Sequence, residues 1–202
     1  MIDTTITKID IWLKNDMACK VSQPLLPPGF RFETYQGERD QRNWAEILCS
    51  VGFLDQNVKT GMQCFQQEFG DRMDLVKQRM FFITTEEGKY VGTCTAWENS
   101  GLKRGILHWL GVRPEYQKYG LGKALVQKVL YTFQTERPGW PGYLLTQTTS
   151  HKAICLYMKF GFYAVYTDDA SKADFERAAQ VLDGVMREKD YIAFVNGAKK
   201  DG

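Results

Sequence analysis

The chain has 202 residues, with 26 Lys and Arg against 24 Asp and Glu, 44% hydrophobic residues, 25% charged and 13% aromatic. That length supports one sizeable core, and the composition excludes disordered, collagen-like and coiled-coil chains. The near-balanced charge offers no sequence-independent grip on nucleic acid or on an anionic membrane.

Cys19, Cys49, Cys64, Cys94 and Cys155 are odd in number and widely spread, as expected of reduced, mostly buried thiols. No apolar run approaches the roughly 20 residues of a membrane span, and no basic-then-apolar leader opens the sequence. A soluble cytoplasmic chain is the expectation, with one domain over 1–202. Ile6, Ile9, Ile11 and Trp12 suggest an extended opening segment inside an N-terminal extension, 1–29. Phe30, Phe32 and Thr34 then alternate like a half-buried strand.

Two helices follow. The first carries Trp44, Ile47, Leu48 and Val51 at helical spacing; the second is expected to start at a capping box, Thr60-x-x-Gln63, with Met62, Phe65 and Phe69 on one stripe. Residues 80–85 and 90–97 read as a hairpin turning at Glu86-Glu87-Gly88, and 106–112 adds a third strand. From Gly120 onward Leu121, Leu125, Val129 and Phe133 recur every four residues, which predicts a helix. Residues 143–148 read as a strand, 150–160 as a helix and 162–166 as a strand. A late helix is expected over 171–189, opened by Ser171-x-x-Asp174, then a last strand over 191–195 and a frayed polar tail over 196–202. The fold class is α/β in the mixed α+β sense.

Chemistry concentrates in Val112-Arg-Pro-Glu-Tyr-Gln-Lys-Tyr-Gly-Leu-Gly122, which passes from a strand through a glycine-containing loop into an amphipathic helix. Backbone N–H groups at a helix start have no intrahelical partners and lie at the positive end of the dipole, and Gly120 and Gly122 let phosphate oxygens approach. Neither G-x-G-x-x-G nor G-x-x-x-x-G-K-[ST] is present, so dinucleotide and nucleoside-triphosphate binding lose their main warrant. A pyrophosphate of another sort is expected.

Gln117-x-x-Gly120-x-Gly122 after Val112-x-Pro114 resembles the acyl-CoA-binding motif of the GNAT superfamily of N-acetyltransferases. A second segment, 150–162, resembles the family's N-x-x-A-x-x-L-Y-x-x-x-G-F pattern through Ala153, Leu156, Tyr157, Gly161 and Phe162, with Ser150 where the family often has Asn. The resemblance covers roughly residues 30–168. It implies a mostly antiparallel central sheet flanked by helices, with acyl-CoA bound where the central strands splay.

By that resemblance the backbone of Gln117, Lys118, Tyr119, Gly120, Leu121, Gly122 and Lys123 would hold the CoA pyrophosphate, and Leu110, Gly111 and Val112 the pantetheine arm. Ser150 and Ala153 would complete the cofactor site, and Tyr157 would donate a proton to the departing thiolate. Lys118 and Arg113 either add charge to the phosphate site or are solvated cations. For the base, strand alternation places Ile106, His108 and Leu110 on one face, and His108 is the titratable group there. A histidine bonded to a carbonyl is the alternative, and Glu98 and His151 are weaker candidates. Acceptor recognition is expected from Phe53 and Asp55, with Trp97 and Trp109 as a wall.

The resemblance thus implies transfer of an acetyl group from acetyl-CoA to a primary amine, preferably of a small molecule, without a metal, in a monomer or homodimer. The alternatives are a protein or peptide N-acetyltransferase and a non-catalytic acyl-CoA sensor. A flavodoxin-like domain is disfavoured by three consecutive hairpin strands ahead of the loop.

Overall fold

The computed structural model describes residues 2–54 and 57–201. It contains two compact units, Val21–Pro138 and a second built from Ile2–Lys20 and the chain from Gly139 on.

In the first unit the strands β2 (Phe30–Thr34), β3 (Met80–Thr85), β4 (Tyr90–Asn99) and β5 (Arg104–Val112) pair in chain order, all antiparallel. Between β2 and β3 lie α1 (Glu38–Val51), α2 (Val58–Phe69) and a short α3 (Met73–Arg79), and α4 (Leu121–Glu136) follows β5. The apolar stripes of α1 and α2 meet in one core: Trp44, Ile47, Leu48, Phe65, Phe69 and Phe82 are fully or almost fully buried. Each such side chain contributes about 1.5–3 kcal/mol by leaving water.

Three expectations need correction here. The helix α2 begins two residues before Thr60, because the Asn57 side chain accepts from the N–H of Lys59 and caps the helix. The seven-residue α3 has no counterpart in the sequence reading. The cysteines are less buried than expected: Cys94 is buried, but Cys19 is exposed and Cys49, Cys64 and Cys155 are half-buried.

A β-bulge interrupts β5. Thr95 pairs with His108 and Thr93 with Gly111, so Trp109 and Leu110 share the place opposite Cys94. Trp109 takes φ 52°, a left-handed conformation that a bulky side chain adopts at a cost of about 1–3 kcal/mol. The consequence is a change of face. A Cβ added to Gly105 would meet Phe133 of α4 at 2.9 Å, whereas one on Gly111 would meet Leu48 of α1 at 2.9 Å. Residues six apart share a face in an undisturbed strand, so the extra residue has reversed the alternation. Ile106, His108 and Leu110 therefore do not form the single continuous face expected from period two.

The second unit holds β1 (Asp10–Asn15), β6 (Gly142–Gln147), β7 (Tyr163–Tyr166) and β8 (Lys199–Lys200), with α5 (His151–Met158), α6 (Asp169–Leu182) and α7 (Glu188–Gly197). The opening segment is not peripheral: β1 lies antiparallel between β6 and β7 in this sheet. The late helix starts at Asp168, whose side chain accepts from Ser171 N–H in a capping box, and it stops at Leu182 rather than near 189. The expected strand over 191–195 is helix α7. The tail is tied down, since β8 pairs parallel with β7 and Asp201 N–H donates to Tyr166 O at 2.8 Å. Among the described residues no helix is long and apolar enough to cross a membrane.

Candidate active site

The loop after β5 is built by local backbone chemistry. Arg113 N–H donates to Val91 O at 2.8 Å, Pro114–Tyr116 form one 3-10 turn, and Gln117 Nε2 donates to Val112 O at 3.0 Å, bracing the loop against the strand end. Lys118 has φ 71° and Gly120 φ 82°, while Tyr119 between them keeps a negative φ. Alternation of this kind is the backbone pattern of anion-binding nests. At Gly120, the N-cap of α4, a side chain would be strained by the positive φ.

The first N–H of α4 with a helical partner is that of Ala124, which donates to Gly120 O at 3.0 Å. The four N–H groups of 120–123 are the ones a helix start leaves unsatisfied, and those of Lys118 and Tyr119 precede them in the loop. Lys118, Tyr119, Gly120 and Lys123 are exposed, Gly122 is half-buried, and buried Leu121 anchors the helix. These residues fit a pyrophosphate. Gly111 and Val112 are buried and paired with Thr93 and Gly92, with Leu110 half-buried beside them. Arg113 is engaged within the protein: Nε donates to Tyr90 O at 2.8 Å and Nη2 pairs with Glu46 at 3.2 Å.

His108 lies at the centre of an aromatic cluster in the same unit. Its ring packs against Phe69 at 5.8 Å and Trp109 at 5.6 Å between centroids; Phe69 meets Trp97 at 5.2 Å, and Phe53 meets Trp109 at 6.5 Å. The structure thus brings together four of the residues singled out from the sequence, His108, Phe53, Trp97 and Trp109. Asp55 lies outside the described residues.

One partner in this cluster was not expected. Glu68, near the end of α2, lies 2.9 Å through Oε2 from His108 Nε2, and the same oxygen accepts from Trp109 Nε1 at 3.3 Å. The hydrogen bond from His108 is the main reason its carboxyl is held below the ordinary value of 4.5; partial burial opposes that, and the indole N–H adds to it. Forty residues separate Glu68 from His108, so no spacing rule could have joined them.

The weaker base candidates are occupied elsewhere. Glu98 is buried and paired with both Arg79 and Arg137, the latter at 2.9 Å, and His151 lies 3.4 Å from Asp3. In the second unit, Tyr157 is buried on α5 with its ring 5.9 Å from that of Phe162. Ser150 stands at the N-cap of α5 without a side-chain cap bond, and Ala153 is half-buried one turn further on.

Comparison with known proteins agrees with this arrangement. Residues 77–164 match the family model of the acetyltransferase (GNAT) domain. A structure with the same fold, a GCN5-related N-acetyltransferase from Sphaerobacter thermophilus, superposes with a TM-score of 0.62 at 19% identity, covering 79% of this chain and 49% of that one. The segment 77–164 is thus similar to the GNAT acetyltransferase domain, and the fold is one that GNAT structures share.

Among curated proteins the chain is similar to a mycothiol acetyltransferase of Streptomyces griseus, 27% identical over 145 residues, 70% of this chain and 46% of the relative. The corresponding protein of Streptomyces coelicolor is 26% identical over 149 residues, covering 72% and 47%. The chain therefore spans about half the length of the curated relatives it matches.

Proposed function

We propose that this chain is an acetyl-CoA-dependent N-acetyltransferase acting on the primary amine of a small molecule, by direct attack in a ternary complex. The observation that carries the reading is the run from Leu110 to Lys123, where a strand end, a nest-like loop and an open helix start present consecutive N–H groups. The family match supports acetyl transfer, and the names of the curated relatives, mycothiol acetyltransferases, support a small acceptor over a protein one.

Acetyl-CoA supplies the acetyl group already activated as a thioester. The N–H groups of 118–123, with the exposed Lys118 and Lys123 beside them, bind its pyrophosphate. An ammonium cannot attack a carbonyl, so a base must first take its proton, and His108 does so, directly or through a water. Tyr157 Oη gives a proton to the departing sulfur. Phe53, Trp97 and Trp109 line the acceptor side and exclude water around it. We place the reaction in the cytoplasm, in a monomer or homodimer with no nucleic-acid or membrane partner.

Thermal unfolding with acetyl-CoA, ATP or NAD, together with thiol release across a panel of primary amines, tests this reading. Protection by acetyl-CoA alone and release above the hydrolysis background for at least one amine are expected. Protection without release for any amine would make the chain a sensor, and acetylation of peptides alone would make the acceptor a protein.

A further inference from the structure

We propose that Glu68 is a positioning residue that fixes His108 in the tautomer carrying its proton on Nε2, leaving Nδ1 as the atom that accepts the proton of the attacking amine. The inference rests on His108 being the base, and it goes further by naming the atom that does the work and the residue that selects it.

Hydrogen bonds from His108 and Trp109 hold the Glu68 carboxyl below its ordinary range, so near neutrality it is ionised. An ionised carboxylate has no hydrogen to donate. The 2.9 Å contact between Glu68 Oε2 and His108 Nε2 therefore requires the hydrogen on nitrogen. A neutral imidazole carries one N–H, so its lone pair is then on Nδ1, and the bond made by one ring nitrogen sets the role of the other.

The surroundings make this choice stiff. Phe69 and Trp109 pack against the imidazole at interplanar angles of 75° and 56°, which restricts rotation of the ring. Trp109 Nε1 holds the same carboxylate oxygen at 3.3 Å, and Trp109 is the bulge residue with φ 52°, so one oxygen ties the imidazole to the distorted segment of β5. An ordinary surface ion pair shows none of these constraints.

Nitrogen-15 correlation spectra of the imidazole rings, followed to alkaline pH until they no longer change, read the tautomer of the neutral ring directly. The chain has only two histidines, and a His151→Gln variant assigns them. The native protein should show His108 as a single Nε2–H species. Glu68→Ala should give a mixture of tautomers and lower kcat about tenfold, with KM for acetyl-CoA unchanged. Glu68→Gln, whose amide oxygen still accepts, should retain more of the Nε2–H form and more of the rate; it also serves if the alanine variant does not fold.

An Nδ1–H species in the native protein, or a tautomer ratio indifferent to both substitutions in folded protein, overturns the proposal. Failure of the functional reading looks different: no amine would support turnover in the native protein, whatever the spectra show.

Discussion

Glu98 and Glu68 are two carboxylates of the first unit, both held below the ordinary carboxylate value, and they differ in what holds them there. Burial pushes Glu98 up, but hydrogen bonds from Arg137, Ser100 and Arg79 outweigh it and bring the carboxyl down to about 2. Its charge is answered by guanidinium groups that stay charged at every working pH. Arg79 in turn pairs with Glu136 at 2.7 Å, so the carboxylate lies inside a closed ionic network. Glu68 is answered by a histidine and an indole, and an imidazole, unlike a guanidinium, has a ring nitrogen that can accept a proton. A lowered carboxylate is thus no mark of chemistry by itself. The titratable partner is what separates a group that can take part in proton transfer from one that holds elements together.

The largest expected effect falls on the closed network. Arg79→Met removes one cation from a pair in which both side chains are nearly inaccessible, and should cost about 3–5 kcal/mol of unfolding free energy in urea titrations. Turnover per folded molecule should stay near native. A large loss of kcat in folded Arg79→Met would break the contrast, because it would place Glu98 in the chemistry.

Acid should act on the same network. A carboxyl at about 2 in the folded protein against an ordinary 4.5 stabilises the fold fully above the higher value and loses that contribution as pH falls through the lower one. Between about pH 5 and pH 2 the loss should approach about 3 kcal/mol from Glu98 alone. The urea midpoint followed against pH should fall across this window in the native protein and less steeply in Glu98→Gln. Equal slopes would show that the ionic network contributes little.

The open pair should respond in the opposite sense, in rate and not in stability. His108→Ala should lower kcat about a hundredfold, equivalent to about 2.7 kcal/mol of barrier, while the urea midpoint moves little, since the ring is only half-buried. Unchanged kcat, with Tyr157→Phe also silent, would leave the proton transfers to water.

Much of the site was legible in the sequence because it is local. Pro114, Gly120 and the stripe from Leu121 to Phe133 are consecutive, and turn chemistry and helix periodicity suffice to read a strand, a loop and an open helix start. What was missed depends on tertiary context. The bulge at Trp109 leaves no period-breaking signal in a run of apolar residues, so His108 and Leu110 looked like neighbours on one face. Glu68 reaches His108 only because α2 packs over the sheet.

Near the C-terminus, Ile192 to Val195 is apolar enough for strand or helix, and four residues cannot decide between the periods. Asn57 and Asp168 cap their helices three residues ahead of Thr60 and Ser171, the caps expected from the sequence, because several polar side chains compete at each start.

The smallest effect tests the comparison most finely, because it removes one donor from Glu68 and keeps the ring that packs. Trp109→Phe deletes the indole N–H, which lies at 3.3 Å and counts for less in holding the carboxyl down than the imidazole at 2.9 Å. The Glu68 carboxyl should therefore titrate at higher pH in Trp109→Phe than in the native protein, and higher still in His108→Ala. The order follows the two bonds, and carbon-13 carboxyl titrations read it without any need for turnover. Stability should fall by about 1 kcal/mol. If Trp109→Phe moved the carboxyl as far as His108→Ala, the imidazole would not be its main partner, and Glu68 would rank with Glu98 as a group that fixes structure alone.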